Sequence, residues 1–134
     1  MDILSEIKNI DKLIKTKLDR ITRLRELATR TTPCYEVERV QTQSNDKMAA
    51  IVAKITSIEN EVIQELNRLL DLQLMAEDTI NSINNNNHKI ILTDYYLNNK
   101  TMEEIAEEMQ YDDRHIYKIR EKAIEEFKHA MKCH

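Results

Sequence analysis

The sequence predicts an all-α protein in which a long N-terminal helical hairpin, coiled-coil-like in character, precedes a C-terminal three-helix helix-turn-helix module. The 134 residues contain no Gly and one Pro, and 33% of them are charged. Gly and Pro interrupt helices, whereas the charged and aliphatic residues that fill this chain favour them. Apolar residues also recur at helical spacing in two long segments and again near the C-terminus.

The first 30 residues form one amphipathic, basic segment. Eight Lys or Arg stand against five Asp or Glu, and the apolar positions lie close to heptad spacing. The stripe consists of Ile3, Ile7, Ile10, Ile14, Ile21, Leu24 and Ala28, with Leu4, Leu13, Leu18 and Leu27 at its edges.

A second stripe runs through residues 48–83, and this segment is acidic. Its positions are Met48, Ile51, Ile55, Ile58, Val62, Leu66, Leu69, Leu72, Ala76, Ile80 and Ile83. Opposite charge and similar stripes predict that the two segments pair as an antiparallel hairpin. Because two helices bury little surface, a homodimer is favoured over a monomer; the alternative is that both helices pack on the C-terminal module.

Two interruptions divide the chain. Residues 30–47 lack a helical stripe and contain Pro33, which predicts a connector, and the second long helix would be capped by Ser44, Asn45 or Asp46. Four consecutive Asn residues at 84–87 are expected to end that helix, because Asn tolerates the left-handed conformation. The predicted domains are therefore residues 1–83, a hinge at 84–87, and residues 88–134.

Two helices joined by a tight turn are predicted after residue 100, the first of eight or nine residues and the second longer. Thr101 with Glu104 has the spacing of a capping box, and Asp112 or Asp113 offers the second cap. Since the chain has no Gly, Gln110 or Tyr111 would supply a positive φ in the turn. The apolar positions are Met102, Ile105, Ala106 and Met109, then Ile116, Ile119, Ala123, Ile124, Phe127 and Met131. These proportions are typical of a DNA-binding helix-turn-helix; the alternative is a helical hairpin with a solvated polar face.

This run resembles the region 4 helix-turn-helix of bacterial sigma-70-type factors. The positions that carry the resemblance are Glu104-Ile105-Ala106, Asp112, Ile116 and Ala123-Ile124. The preceding residues 90–97 resemble the helix that packs beneath such modules. A coiled-coil-like half before the module is similar to small phage and prophage regulators, including late-gene activators of the RinA/ArpU kind and related phage proteins of unassigned function.

The resemblance, which covers residues 88–131, implies where DNA would bind. Base contacts would come from the N-terminal half of the second helix, and Arg120 and Lys122 would meet the DNA backbone. Carried over position by position, the base-contacting residues are Asp113, Arg114, Tyr117 and Lys118. His115 is expected to be a partly buried imidazole.

Charge limits the affinity expected for a single copy. Residues 88–134 hold eight Lys or Arg and ten Asp or Glu, a net charge of −2, and positive charge is confined to the second helix of the pair. Because non-specific affinity depends on phosphate neutralisation, useful binding to double-stranded DNA would need two copies or a partner such as RNA polymerase.

Catalysis, cofactors and metals find little support in the sequence, and we expect no enzyme activity. A Gly-free chain lacks the usual phosphate-binding loop. The one cluster of possible metal ligands is His129, Cys133 and His134 at the C-terminus, and an exposed tail is a simpler interpretation of these residues than a zinc site. Two distant Cys residues, no signal peptide and no membrane-spanning run favour a cytoplasmic protein.

Three functions remain after these exclusions. The first is a phage-type transcriptional regulator that binds DNA as a dimer or beside RNA polymerase. The second is a DNA-packaging protein of the small-terminase kind, although such proteins usually carry the DNA-binding part first. The third is a helical protein–protein adaptor that never contacts DNA.

Overall fold

The computed structural model describes residues 2–30 and 38–132, and every regular element in that part of the chain is helical. The all-α prediction is confirmed. The elements are α1 (Ile3–Arg30), α2 (Glu38–Asn81), α3 (Asn86–Leu92), a π-helical turn (Thr93–Leu97), α4 (Met102–Met109) and α5 (Asp113–Lys132). None of the helices in the described residues is long and apolar enough to cross a membrane.

The chain divides into two compact units, and both α1 and α2 contribute residues to each. We call Asn9–Leu69 the two-helix unit, and Met1–Lys8 together with Leu70–His134 the composite unit. The boundaries between them fall inside the long helices. This division differs from the predicted one, residues 1–83 and 88–134 with a hinge at 84–87, because sequence patterns indicate where a helix ends and not which helical turns share a core.

The two-helix unit buries one stripe from each long helix and adds ion pairs at the edge. Lys17 Nζ lies 3.9 Å from Glu61, and Arg25 lies 3.4 Å from Glu59. Leu66, predicted to be part of the stripe, is instead 48% exposed. The buried apolar residues of this unit are Ile10, Ile14, Ile21, Leu24, Ile58, Val62 and Leu69.

Helix α2 begins earlier than its sequence predicts. It starts at Glu38, so the residues expected to cap it, Ser44, Asn45 and Asp46, are already helical. Once a helix exists, each further residue adds a hydrogen bond without a new nucleation cost, and extension therefore needs no apolar stripe. The rest of the predicted connector, residues 31–37 with Pro33, lies outside the described residues.

The Asn run at 84–87 caps a helix and does not form a left-handed break. Helix α2 ends at Asn81, and the Asn85 side chain accepts a hydrogen bond from the His88 backbone N–H at 3.2 Å. Asn86 and Asn87 are already helical. Among the described residues the positive φ angles fall instead on Asn99 and Gln110.

The core of the composite unit lies where α3, α4 and α5 meet. Across these helices, His88 Nδ1 of α3 lies 2.7 Å from Glu126 of α5. The residues at the centre are Ile91, Met102, Ile105, Ala106 and Ile116, and Leu92, Ala123 and Phe127 are buried as well. The apolar positions predicted for α4 and α5 therefore face inward, except that Met109, Ile119, Ile124 and Met131 are only partly buried.

Candidate functional site

The turn between α4 and α5 depends on one left-handed residue. Gln110 has φ 60° and ψ 41°, and the Tyr111 N–H donates to the Ala106 carbonyl at 2.9 Å. This closes the last turn of α4 and redirects the chain within two residues. The positive φ predicted for Gln110 or Tyr111 is therefore taken by Gln110, at a conformational cost that Gly would avoid.

Both helices of this pair begin with the caps that their sequences predict. The Glu104 N–H donates to Thr101 Oγ1 at 3.1 Å, and the Glu104 carboxylate accepts from the Thr101 N–H at 3.4 Å. At the start of α5, Asp112 accepts from the His115 N–H at 2.7 Å. These caps satisfy amide groups that would otherwise lack partners, and so they define where α4 and α5 start.

The capping box of α4 gives a direct stability test. We expect Thr101→Ala to lower the free energy of unfolding by about 1 kcal/mol, because it removes the acceptor for the Glu104 amide. Thr56→Ala, at an exposed position inside α2, is the matched control and should leave stability unchanged or slightly raised. Urea unfolding followed by circular dichroism measures both, and equal effects at the two positions would contradict the capping role.

The structure places five of the six predicted DNA-binding residues at the surface. Arg120 is the exception and is half-buried. The exposed residues are Asp113, Arg114, Tyr117, Lys118 and Lys122, and Tyr117 is 41% exposed. The spacing of Arg114, Lys118 and Lys122 is four residues, which aligns them on one face of α5. None of these three cations forms an ion pair within the described residues.

Part of the acidic charge of α4 is already paired with other groups. Lys100 Nζ contacts Glu108 at 2.9 Å, and this hydrogen bond raises the pKa of the Lys100 ammonium above its ordinary value. Glu104 is held by the Thr101 cap. Of the four Glu residues of α4, Glu103 and Glu107 therefore remain as exposed carboxylates without such partners.

Arg120 lies close to two tyrosine rings, a setting that its sequence neighbours do not predict. Its guanidinium carbon is 5.2 Å from the ring centroid of Tyr95 and 5.1 Å from that of Tyr117. Lys8 Nζ lies 3.8 Å from the Tyr95 centroid. The one available signal was composition, because four of the five tyrosines fall between residues 95 and 117. No sequence pattern indicated the contact between the Tyr95 ring and Lys8, which is distant in sequence.

Two pairs of aromatic rings lie in the composite unit. The rings of Tyr95 and Tyr96 pack edge to face with centroids 4.9 Å apart, and burial raises the pKa of the Tyr96 hydroxyl against an opposing effect of the Arg120 charge. His115 is exposed and packs edge to face on Tyr111 at 4.9 Å. The expectation of a partly buried His115 is wrong, because the Asp112 cap starts α5 so that this position faces outward.

Ligand-forming side chains do not gather within the described residues. No group of three or more His, Cys, Asp or Glu there is arranged to hold a metal ion. His129 is exposed on α5, whereas Cys133 and His134, the other members of the predicted C-terminal cluster, lie outside the described residues.

The chain matches no protein-family model, no curated protein and no solved structure. A candidate interaction surface is the exposed face of α5, where Arg114, Lys118 and Lys122 form no ion pair with the described residues.

Proposed function

We propose that this protein is a sequence-specific DNA-binding transcriptional regulator of the phage or prophage type. In this proposal α4, the Gln110 turn and α5 act as a sigma-70 region 4-like helix-turn-helix, and α5 enters the major groove. The observation that carries it is the aligned face of Arg114, Lys118 and Lys122, exposed and without ion pairs among the described residues.

The residue types on this face suit the edges of base pairs. Arg114 would pair with the two acceptors of guanine, and Lys118 would reach a base acceptor or a phosphate. Tyr117 would pack on a thymine methyl group or donate to a phosphate. Asp113, in the first turn of α5, would accept from the amino group of cytosine.

The exposed carboxylates of α4 make a single copy a weak binder. Glu103 and Glu107 would repel phosphate, and the C-terminal residues 88–134 carry a net charge of −2. Affinity would then come from two copies on a split site, or from tethering by RNA polymerase.

The two-helix unit supports a homodimer as the source of the second copy. Its ion pairs join Lys17 to Glu61 and Arg25 to Glu59, which is the order expected of an antiparallel hairpin. Ile63 is 56% exposed in this unit, and the other large exposed apolar residues are Leu13, Leu18, Val52 and Leu66. A second copy would cover these side chains, because two helices alone bury too little surface to be stable.

Selection from a random duplex library tests the proposal. Purified protein is incubated with the library at about 0.05 and 0.15 M salt, and light scattering gives the mass of the same sample. We expect a two-fold symmetric motif bound by a dimer; a single half-site would favour tethering by polymerase. Absence of any enriched sequence at the lower salt concentration contradicts the proposal.

A protein–protein adaptor is the second candidate, and the exposed carboxylates of α4 favour it. In that case Glu103 and Glu107 would contact a basic partner and DNA would not be bound. The double reversal Glu103→Lys with Glu107→Lys separates the two functions. An adaptor loses its partner on reversal, whereas a DNA-binding regulator binds duplexes more tightly because repulsion from phosphate is removed.

A further inference from the structure

Arg120 differs from the neighbouring cations of α5 in its surroundings. Lys118 and Lys122, two residues to either side of it, are exposed, whereas Arg120 is half-buried. Its guanidinium carbon lies 5.1 Å from the ring centroid of Tyr117 and 5.2 Å from that of Tyr95. All of these residues belong to the composite unit. Within the described part of the chain, the Arg120 guanidinium therefore contacts aromatic rings and forms no ion pair with a carboxylate.

The rings, and not hydrogen bonds, account for the position of this side chain. The Nε of Arg120 is buried and has no hydrogen-bond partner among the described residues. Burial of a donor without an acceptor costs free energy, so favourable contacts with the rings must offset that cost. A guanidinium group is suited to such contacts, because it is planar and more weakly hydrated than an ammonium group.

The Tyr95 ring is itself held in place by its neighbours. It packs edge to face on the ring of Tyr96 with the centroids 4.9 Å apart, and Tyr96 is buried. Lys8 Nζ of α1 lies 3.8 Å from the Tyr95 centroid as well. Both tyrosines belong to the π-helical turn, and short π-helical segments frequently occur at functional sites. A series of contacts thus leads from buried Tyr96 through Tyr95 to the guanidinium of Arg120.

Tyr117 extends this series of contacts to the surface. It stands three residues before Arg120 on α5, and 41% of it is exposed. Because the guanidinium lies over its ring, the ring is held in one orientation, while the rest of its surface stays open to a ligand. An exposed tyrosine without such a neighbour would rotate among its staggered rotamers. A fixed ring next to Lys118 is therefore an apolar surface at a defined place on the exposed face of α5.

We propose that Arg120 is a positioning residue, which fixes the ring of Tyr117 so that this ring packs on the methyl group of a thymine in duplex DNA. The inference rests on the proposed function and deepens it, because it selects the thymine methyl group over a phosphate as the partner of Tyr117. It also replaces the backbone contact that the resemblance implied for Arg120. Thymine alone among the four bases presents a methyl group in the major groove, and apolar and aromatic side chains contact that group there.

Replacement of thymine by uracil tests the contact, because it removes that methyl group and nothing else. Each thymine of the selected duplex is replaced in turn, and fluorescence anisotropy gives the Kd of the full-length protein for each duplex. We expect one thymine position at which the replacement weakens binding about four-fold, the value for burial of one methyl group. A selected duplex in which no thymine shows this loss overturns the proposal.

Two substitutions of Arg120 test the positioning role. Arg120→Ala removes the guanidinium, and Arg120→Lys keeps the charge but not the planar group. In both variants we expect the ratio of the Kd for the uracil duplex to the Kd for the thymine duplex to fall from about four toward one. A variant that is only less stable would weaken both complexes by the same factor and leave this ratio unchanged.

The outcome at Arg120 is decisive even if one variant does not fold. Retention of the ratio in Arg120→Ala overturns the positioning role, and Arg120→Lys decides in the same way if Arg120→Ala fails to fold. Lys128→Ala is the matched control, an exposed cation about 12 Å further along α5, and should keep the ratio of the unaltered protein.

Substitutions of Tyr117 separate its ring from its hydroxyl group. Tyr117→Ala removes the ring and should abolish the preference for thymine over uracil. Tyr117→Phe removes the hydroxyl group alone, so the preference should persist, whatever the change in Kd. Loss of the preference in Tyr117→Phe would assign the contact to the hydroxyl group and overturn the proposal.

Salt dependence distinguishes this role of Arg120 from a phosphate contact. Loss of a cation that contacts phosphate makes the slope of log K against log salt shallower by about one and weakens binding to specific and random duplexes alike. For Arg120→Ala we expect the slope of the unaltered protein. A shallower slope with an unchanged ratio would assign Arg120 to a phosphate and overturn the proposal.

The failures of the two proposals are distinguishable. If the unaltered protein binds no duplex at low salt, the proposed function itself fails. If it binds its selected duplex more tightly than a random one, but Arg120→Ala keeps the preference for thymine over uracil, the positioning role is overturned while the DNA-binding function stands.

Discussion

Ile116→Asp is expected to unfold the core formed by α3, α4 and α5. Ile116 is fully buried among Ile91, Ile105 and Ala106. Loss of the isoleucine side chain costs about 2–5 kcal/mol, and an unpaired buried carboxylate adds a further penalty of about 3–5 kcal/mol. Because small domains are stable by only about 5–15 kcal/mol, this single change removes most or all of that margin.

Circular dichroism and size-exclusion chromatography measure the effect. The expected result is loss of the cooperative thermal transition of this core, with a broadened elution profile. Ile90→Asp is the matched control, because Ile90 belongs to α3 of the same unit but is 44% exposed. The same substitution there should change stability by about 0.5 kcal/mol or less. A folded and monodisperse Ile116→Asp protein would show that the core is assigned wrongly.

Arg114→Ala and Lys118→Ala are each expected to weaken binding to the selected duplex by about 1–3 kcal/mol, which is roughly 5- to 150-fold in Kd. Both residues are exposed on α5 and stand one helical turn apart. If each contacts a base, the loss on a random duplex should be much smaller, since base contacts distinguish sequences and phosphate contacts do not. Kd values on both duplexes, at one fixed salt concentration, provide the comparison.

Lys122→Ala is the informative contrast to these two substitutions. It removes a cation from the same face, but one that we expect to meet the DNA backbone, so its losses on specific and random duplexes should be equal. Arg114 and Lys118 are close enough to couple, and the double substitution should therefore depart from the sum of the single effects. Equal losses on both duplexes for Arg114→Ala would reassign that residue to a phosphate.

Local sequence patterns predicted much of the candidate site. Thr101 with Glu104 formed the capping box, Asp112 capped α5, and Gln110 took the positive φ of the turn. Each of these features depends on residues within about four positions of one another, so the sequence contains the whole interaction. The inward-facing stripe around Ile116 followed from helical periodicity for the same reason.

Features that depend on distant residues were not predictable in this way. The exposure of Leu66 depends on which helical faces have packing neighbours, and an apolar stripe in the sequence does not identify those neighbours. The division of the chain inside α1 and α2 has the same origin. A periodic pattern predicts that a face will be buried, but the packing partner determines how far along the helix that burial extends.

The sequence by itself determined the helical class, the caps and the turn of this protein, because those depend on backbone hydrogen bonds made between near neighbours. Only the tertiary structure decided that Lys8 and Arg120 share the Tyr95 ring. These contacts join positions 8 and 95 and positions 95 and 120, and their energy exists only once α1, the π-helical turn and α5 have packed together. The exposed face of α5 depends on both the sequence and the tertiary structure. Helical periodicity places its cations on one side of the helix, and packing leaves that side uncovered.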